Sequence, residues 1–475
     1  MTTDLIVAST LIDAGDAARD NSAVVEGEAL LERLLIENPN DPDILYPLAN
    51  ALTARSAPYS YKSPDWYLQT LELRVRARVM LHTVGRSEGR DDIRARAITN
   101  LGNALWTGHR WVEAYDTYLQ ALAVDPSNAV ARTGAVKALL RQIKLGLGDN
   151  KTLRAVASEH LKRAGEDRNR LIELAGTAAA EELNLLLQKD LTGGEYPDLS
   201  QVTPYEQFVA RERLALTPTI EGIQPGLRRW DTLRLESIVE PLDREHGVPP
   251  VFAMFNVLKS DYLAARWQCY TALHEGAPES GSYADTLDYA RYGINVSLLI
   301  LTQRAAMDVF DKIAVFVAEY LETNEKPRTI WFRNRWYEKD KSTGSLTWNP
   351  FVEPEISRGN PGFIALAEVA SDLNADGYLY SKKASRNTGT HRFSVIHDLQ
   401  TDPSRPSAYA THYGEEEFQV TLLDTLRLTR SALIYLAEAV GRREAHLANG
   451  KRLGTLTVPS HDWIRGRDQD DLPTT

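Results

Sequence analysis

The chain has 475 residues, 43% hydrophobic and 25% charged, a balance that excludes wholesale disorder and a length that suggests two or three domains. Net charge is −11 with an isoelectric point near 5.5, so there is no global attraction to nucleic acid and any RNA contact needs a local basic patch. The only cysteine, Cys269, excludes disulfide frameworks and thiolate zinc clusters and fits a reducing compartment. "MTTDLIVASTLIDAGDAARD" lacks the basic and apolar regions of a signal peptide, and no run of about 18 apolar residues occurs. A cytoplasmic chain, neither exported nor inserted, is expected.

Along the chain, residues 95–128, "RARAITNLGNALWTGHRWVEAYDTYLQALAVDPSN", place Leu101, Gly102, Ala114, Tyr118, Ala121 and Pro126 at the offsets of a tetratricopeptide (TPR) unit. Small residues at Gly102 and Ala114 let two helices approach, Tyr118 and Ala121 pack between them, and Pro126 ends the second helix. A weaker copy precedes it: "LANAL" at 48–52 echoes "LGNAL" at 101–105, 53 residues apart. That exceeds the TPR period of about 34, so "APYSYKSPDW" is expected to open an insertion. "KTLRAVASEHLKRAGEDRNRLIELAGTAAAEELNLLLQ" reads as long amphipathic helix, and Leu191 to Pro250, rich in Gly and Pro, reads as a connector. Helices resume over 251–276 and 292–322, around 361–373 and over 415–448, with no sustained β-alternation. The C-terminal half is therefore expected to be a helical bundle.

Between the last two of these helices lies "KKASRNTGTHRFSVIHD", residues 382–398. Arginine followed within a few residues by histidine is weak by itself, since Arg76–His82, Arg154–His160, Arg392–His397 and Arg405–His412 match the pattern too. Arg386 and His391 stand apart because Asn387 follows the arginine, Arg392 follows the histidine, and the surroundings are helical. Histidine can exchange protons near neutral pH, while arginine stays charged and grips phosphate oxygens with two N–H groups. Isolated Arg and His more often cap or bridge helices, and that role stays open here.

"RNTGTHR" resembles the Arg-Asn-x-x-x-His signature of HEPN domains, helical bundles found in many prokaryotic ribonucleases. "PPVFAMFNVLKSDYLAARW", "QRAAMDVFDKIAVFVAEYL", "IWFRNRWY" and "LRLTRSALIYLAEAV" resemble the large TPR-coupled branch of that superfamily, from about Tyr205 to Ala448. The resemblance implies an all-α chain with N-terminal TPR-like helical repeats over 1–140, a helical and loop connector over 141–285, a HEPN bundle over 286–450 and a polar tail over 451–475. It also implies metal-independent RNA cleavage without a cofactor, with Arg386, Asn387 and His391 catalytic and two copies facing each other in a homodimer. An antiviral-defence or stress-response role, with a trigger or protein partner on the repeats, follows from the same likeness. Thr388-Gly389-Thr390 departs from the helix formers usual in the signature, Gly alone costing about 1 kcal/mol against Ala in a helix.

"KPRTIWFRNRWYEKDK" sets Arg328, Arg333, Arg335, Lys339 and Lys341 among Trp331, Phe332, Trp336 and Tyr337. Either it holds single-stranded RNA, with Arg333, Arg335, Trp336 and the more distant Arg392 in contact, or its aromatics are core; both readings stand. His391 and His397, six positions apart, do not stack on one helix face, so no metal site is expected; His461-Asp462 reads as solvated. Two functions stay open: an endoribonuclease, or a non-catalytic RNA- or protein-binding scaffold.

Overall fold

The computed structural model describes residues 3–57, 63–145, 150–196, 198–200, 202–217, 231–240, 247–340, 342–382, 392–399, 407–451, 454 and 457. The N-terminal part is a run of helices: α1 (Thr3–Ala18), α2 (Asn21–Glu37), α3 (Pro42–Ser56), the short α4 (Pro64–Gln69), α5 (Leu71–Arg86), α6 (Asp91–Thr107), α7 (Trp111–Val124), α8 (Ala129–Leu145), α9 (Asn150–Glu166) and α10 (Arg168–Leu187). Polar residues before proline start two of them, α3 at Asp41-Pro42 and α4 at Ser63-Pro64. The Asp41 carboxylate accepts from Asp43 N at 2.9 Å and Pro42 sits in the first turn, where its missing N–H costs nothing.

Helices pack as neighbouring pairs, α1 on α2, α3 on α5, α6 on α7 and α8 on α9. Tyr118 of α7 shows why the TPR-like spacing works. A Cβ at Gly102 of α6 would lie 2.6 Å from its ring, and one at Gly134 of α8 2.4 Å, so both neighbouring helices press backbone against the tyrosine. The single long helix expected from residue 151 is instead α9 and α10, separated at Asp167, and Gly176 at φ 77° breaks α10 again. Glycine enters that left-handed region without Cβ strain.

After α11 (Pro204–Arg211) comes the C-terminal bundle: α12 (Pro250–Tyr270), α13 (Ile294–Tyr320), the short α14 (Glu353–Ser357), α15 (Pro361–Asp372) and α16 (Glu415–Ala448). α12 packs along α13, and α16 contacts α12, α13 and α15. α12, expected within a connector ending at 285, is thus a full member of the bundle. At Gly362 a Cβ would meet Tyr435 O and Ala439 N at 2.4 Å, so α15 and α16 touch backbone to backbone.

Short strands also occur. β1 (Ala290–Arg291) pairs antiparallel with β4 (Phe393–His397), which pairs parallel with β5 (Ala410–Gly414), and β2 (Tyr337–Lys339) pairs with β3 (Leu346–Trp348). Strands this brief carry too little alternation to be read from sequence. The three-stranded sheet lies where α13 and α16 begin, because β1 leads into Ile294 and β5 runs directly into Glu415.

The repeats are fastened to the bundle by buried charge. Arg74 of α5 meets Glu368 of α15 at 2.5 Å, Arg78 reaches Glu368 at 3.0 Å and Asp372 at 2.9 Å, and Arg110 bonds Asp372. Arg110 also holds the partly exposed Glu113 at 2.5 Å, so three cations face three carboxylates, of which Glu368 and Asp372 are fully buried. Burial pushes the Glu368 carboxyl up, but Arg74 and Arg78 outweigh it and hold it below the usual range.

Candidate active site

Arg386, Asn387 and His391 lie outside the described residues; the chain is described up to Lys382 and again from Arg392. Before the signature, Lys382 is buried, with Nζ 3.6 Å from Asp424 and 3.5 Å from Thr421 O. Asp424 also holds Arg86 at 2.9 Å and Arg427 at 3.0 Å. Burial pulls the Lys382 ammonium below its ordinary pKa, and Asp424 opposes that. These groups and His82 line a cavity of about 120 Å³ between α5, α6, α7 and α16. Burial, with Arg86 and Lys382 nearby, lowers His82 to about 3, so it is neutral at physiological pH.

After the signature, Arg392 is exposed and Phe393 is 74% exposed at the head of β4. His397, 1% exposed, has Nδ1 2.8 Å from Asp288 O and Nε2 2.7 Å from Nδ1 of His412 on β5. Asp398 instead turns to Arg291 at 3.3 Å, and Arg291 reaches Glu415 at 2.5 Å. His397 and Asp398 therefore serve different partners. Among the described residues no cluster of three or more His, Cys, Asp or Glu suits a metal.

The basic-aromatic stretch divides. Arg333 and Trp331 are exposed, whereas Arg335 is 2% and Trp336 0% exposed. Arg335 is ion-paired with Glu325, and its guanidinium lies 5.6 Å from the Phe351 ring centroid. Trp336 packs edge-on against Phe332 at 5.6 Å and Phe363 at 6.3 Å. RNA contact by Arg335 and Trp336 is therefore corrected: apolar burial and a carboxylate partner have claimed both for the core. A cavity of about 470 Å³ near Glu319, Tyr320 and Arg443 lies at the far end of α13 from the sheet, about 40 Å away for a helix of 27 residues.

Sequence reading weighed His397 as a metal ligand with His391 and set that aside, and treated His412 only as a chance match of the Arg-to-His pattern. Only strand pairing, across 15 residues of chain, brings them together.

These features define a helical-repeat protein clamped onto a C-terminal helical bundle, with a short sheet where two bundle helices begin. Residues 242–443 match the family described as LA2681-like HEPN, and this stretch is a HEPN domain. The match begins well before residue 286 and takes in α12, in agreement with its packing. No curated protein matches the chain. Among the described residues no helix is long and apolar enough to cross a membrane.

Proposed function

We propose that the chain is a metal-independent endoribonuclease whose site is built on Arg386, Asn387 and His391. The observation that carries this reading is that Arg-Asn-x-x-x-His falls inside the HEPN match. Cleavage needs a base to take the 2′-hydroxyl proton as the 2′-oxygen bonds to phosphorus, an acid to protonate O5′ as the P–O5′ bond breaks, and fixed positive charge on the phosphorane. His391 has the chemistry for a proton transfer, and Arg386 for the charge. Asn387 has donors for a phosphate oxygen. Arg392 and Arg333, both exposed, suit the flanking phosphates, a local means for an acidic chain to hold RNA.

Homodimerisation through the bundle supplies a second signature, and the clamped repeats are a surface where a trigger or protein partner acts, in keeping with a defence or stress role. The net charge of −11 and the Thr388-Gly389-Thr390 departure favour a second reading, a scaffold that binds RNA or protein without cutting. Purified protein incubated with labelled RNA and EDTA separates the two. Cleavage that persists in EDTA and is lost in both Arg386→Ala and His391→Ala supports the nuclease; RNA binding without cleavage supports the scaffold.

A further inference from the structure

The clamp between repeats and bundle is balanced, with Arg74, Arg78 and Arg110 set against Glu368, Asp372 and Glu113. The cavity of about 120 Å³ next to it is not. The two share Glu113 and Tyr378, whose hydroxyl accepts from Arg110 at 3.0 Å. Arg86, Lys382 and Arg427 in the cavity wall all turn to one carboxylate, Asp424, and among the described residues only Arg427 has a second, Glu212 at 2.6 Å. Glu113 and Asp116, which also line the cavity, are already taken, Glu113 by Arg110 at 2.5 Å and Asp116 by Arg213 at 2.7 Å and Arg430 at 3.1 Å. Burial pushes the Asp424 carboxyl up, but Lys382, Arg427 and Arg86 outweigh it and hold it below the usual range. Positive charge is therefore in excess here.

These cations also have hydrogens to give. Lys382, its side chain 9% exposed, reaches Thr421 O at 3.5 Å and Asp424 at 3.6 Å, both longer than the ~2.7–3.2 Å of an N–H···O bond. A buried ammonium with contacts this long lacks the partners that normally offset its burial. Arg86 gives Nη2 to Asp424 at 2.9 Å, while its Nε and Nη1 meet no acceptor among the described residues. Arg427 gives Nε and Nη2 to Glu212 and Nη1 to Asp424, so it adds charge rather than spare donors. Neutral His82, its ring centroid 5.0 Å from that of Tyr378, lines the wall without charge.

The volume is that of about four waters at ~30 Å³ each, well short of the ~300 Å³ at which sites for drug-sized ligands begin. One tetrahedral oxyanion fits and a whole nucleotide does not. Buried Leu101, Leu105 and Leu379 form an apolar part of the wall, a low-dielectric setting that strengthens attraction between ions. Exposed Arg86 and Gln120 put one side of the cavity at the surface. A phosphoryl group, with its several charged oxygens, suits a guanidinium and an ammonium arriving together.

We propose that this cavity binds a phosphate group, with Lys382 and Arg86 donating to its oxygens and Arg427 adding charge. Arg86 belongs to α5 of the repeats, Lys382 and Arg427 to the bundle, so the bound anion is a further tie between the two parts. It stabilises the docked arrangement in proportion to how far its concentration exceeds its Kd, which makes phosphate a regulator of the junction. Such binding is independent of whether the chain cleaves RNA.

The test uses the full chain, with inorganic phosphate as the probe and chloride and acetate at matched ionic strength as controls. Isothermal titration should show one saturable site per chain, and the melting temperature should rise with phosphate alone. Arg86→Gln and Lys382→Met should each weaken phosphate binding about tenfold, whereas Arg90→Gln, at an exposed pair with Asp92, should leave it unchanged. Because Lys382 stands in an excess of positive charge, Lys382→Met should not lower the melting temperature of the phosphate-free protein. Adenosine monophosphate distinguishes the sources of the group: displacement of phosphate assigns the site to a nucleotide's phosphomonoester, and failure to displace it assigns the site to free phosphate. Absence of saturable phosphate binding, equal stabilisation by acetate, or wild-type phosphate affinity in both variants overturns the proposal. A lowered melting temperature of Lys382→Met with unchanged affinity does the same and marks Lys382 as a structural ion-pair partner of Asp424.

Discussion

Replacing Asp372 with asparagine tests whether the buried charges hold the repeats to the bundle. Asp372 is 0% exposed and accepts from Arg78 Nε at 2.9 Å, Arg78 Nη2 at 2.9 Å and Arg110 Nη1. Asparagine keeps the shape but sets an amide N–H₂ against guanidinium donors and leaves Arg74, Arg78 and Arg110 facing only Glu368 and Glu113. An uncompensated buried charge of this kind costs about 3–5 kcal/mol, a large part of the 5–15 kcal/mol that holds a typical protein folded, roughly speaking. Urea unfolding followed by circular dichroism should show an unfolding free energy lower by that amount, and the repeats, no longer clamped, should unfold ahead of the bundle. Adding Arg110→Met restores equal numbers of cations and carboxylates and should recover part of the loss, a non-additivity that identifies the coupling. Asp92→Asn, at the exposed Arg90 pair, should leave the midpoint unmoved. A loss below about 1 kcal/mol for Asp372→Asn, or a double variant that merely sums the single effects, would refute the clamp.

Mild acid should destabilise the protein. Burial holds His82 at about 3 and His109 and His160 at about 4, with Arg86 and Lys382, Arg141, and Arg132 and Arg163 adding to the respective shifts. The unfolded chain protonates these rings near 6.5 and the folded chain does not, so stability is full above that pH and falls toward pH 4. Each ring contributes at most about 1.4 kcal/mol per pH unit; urea midpoints that stay flat between pH 7 and 4 would contradict this. Gly362→Ala should cost about 1–3 kcal/mol by forcing α15 off α16, read as a lower melting temperature. Arg335→Glu should lower the melting temperature without changing the salt dependence of RNA binding, whereas Arg333→Glu should reduce the salt slope by about one and leave melting unchanged; equal behaviour of the two would contradict their division into core and surface.

What could be read in the residues was whatever repeats or is contiguous. Helical periodicity runs through α13 and α16, the small residues at TPR offsets predict the close approach at Gly102, and Arg386-Asn387-x-x-x-His391 is local enough to suggest a HEPN domain. Tertiary structure decided the long-range partnerships. Nothing in "IWFRNRWY" distinguishes Arg333 from Arg335, because which of two neighbouring arginines meets water depends on Glu325 and Phe351 arriving from elsewhere. Likewise Arg74, Arg78 and Arg110 look like solvated helix cations until α15 brings Glu368 and Asp372 from some 260 to 290 residues away. His397 and His412 become one proton-sharing pair only through the register of β4 on β5. Local periodicity records which face of an element is apolar; the partner of a buried charge or a titratable ring is a property of two distant segments, and it exists only once the chain has closed.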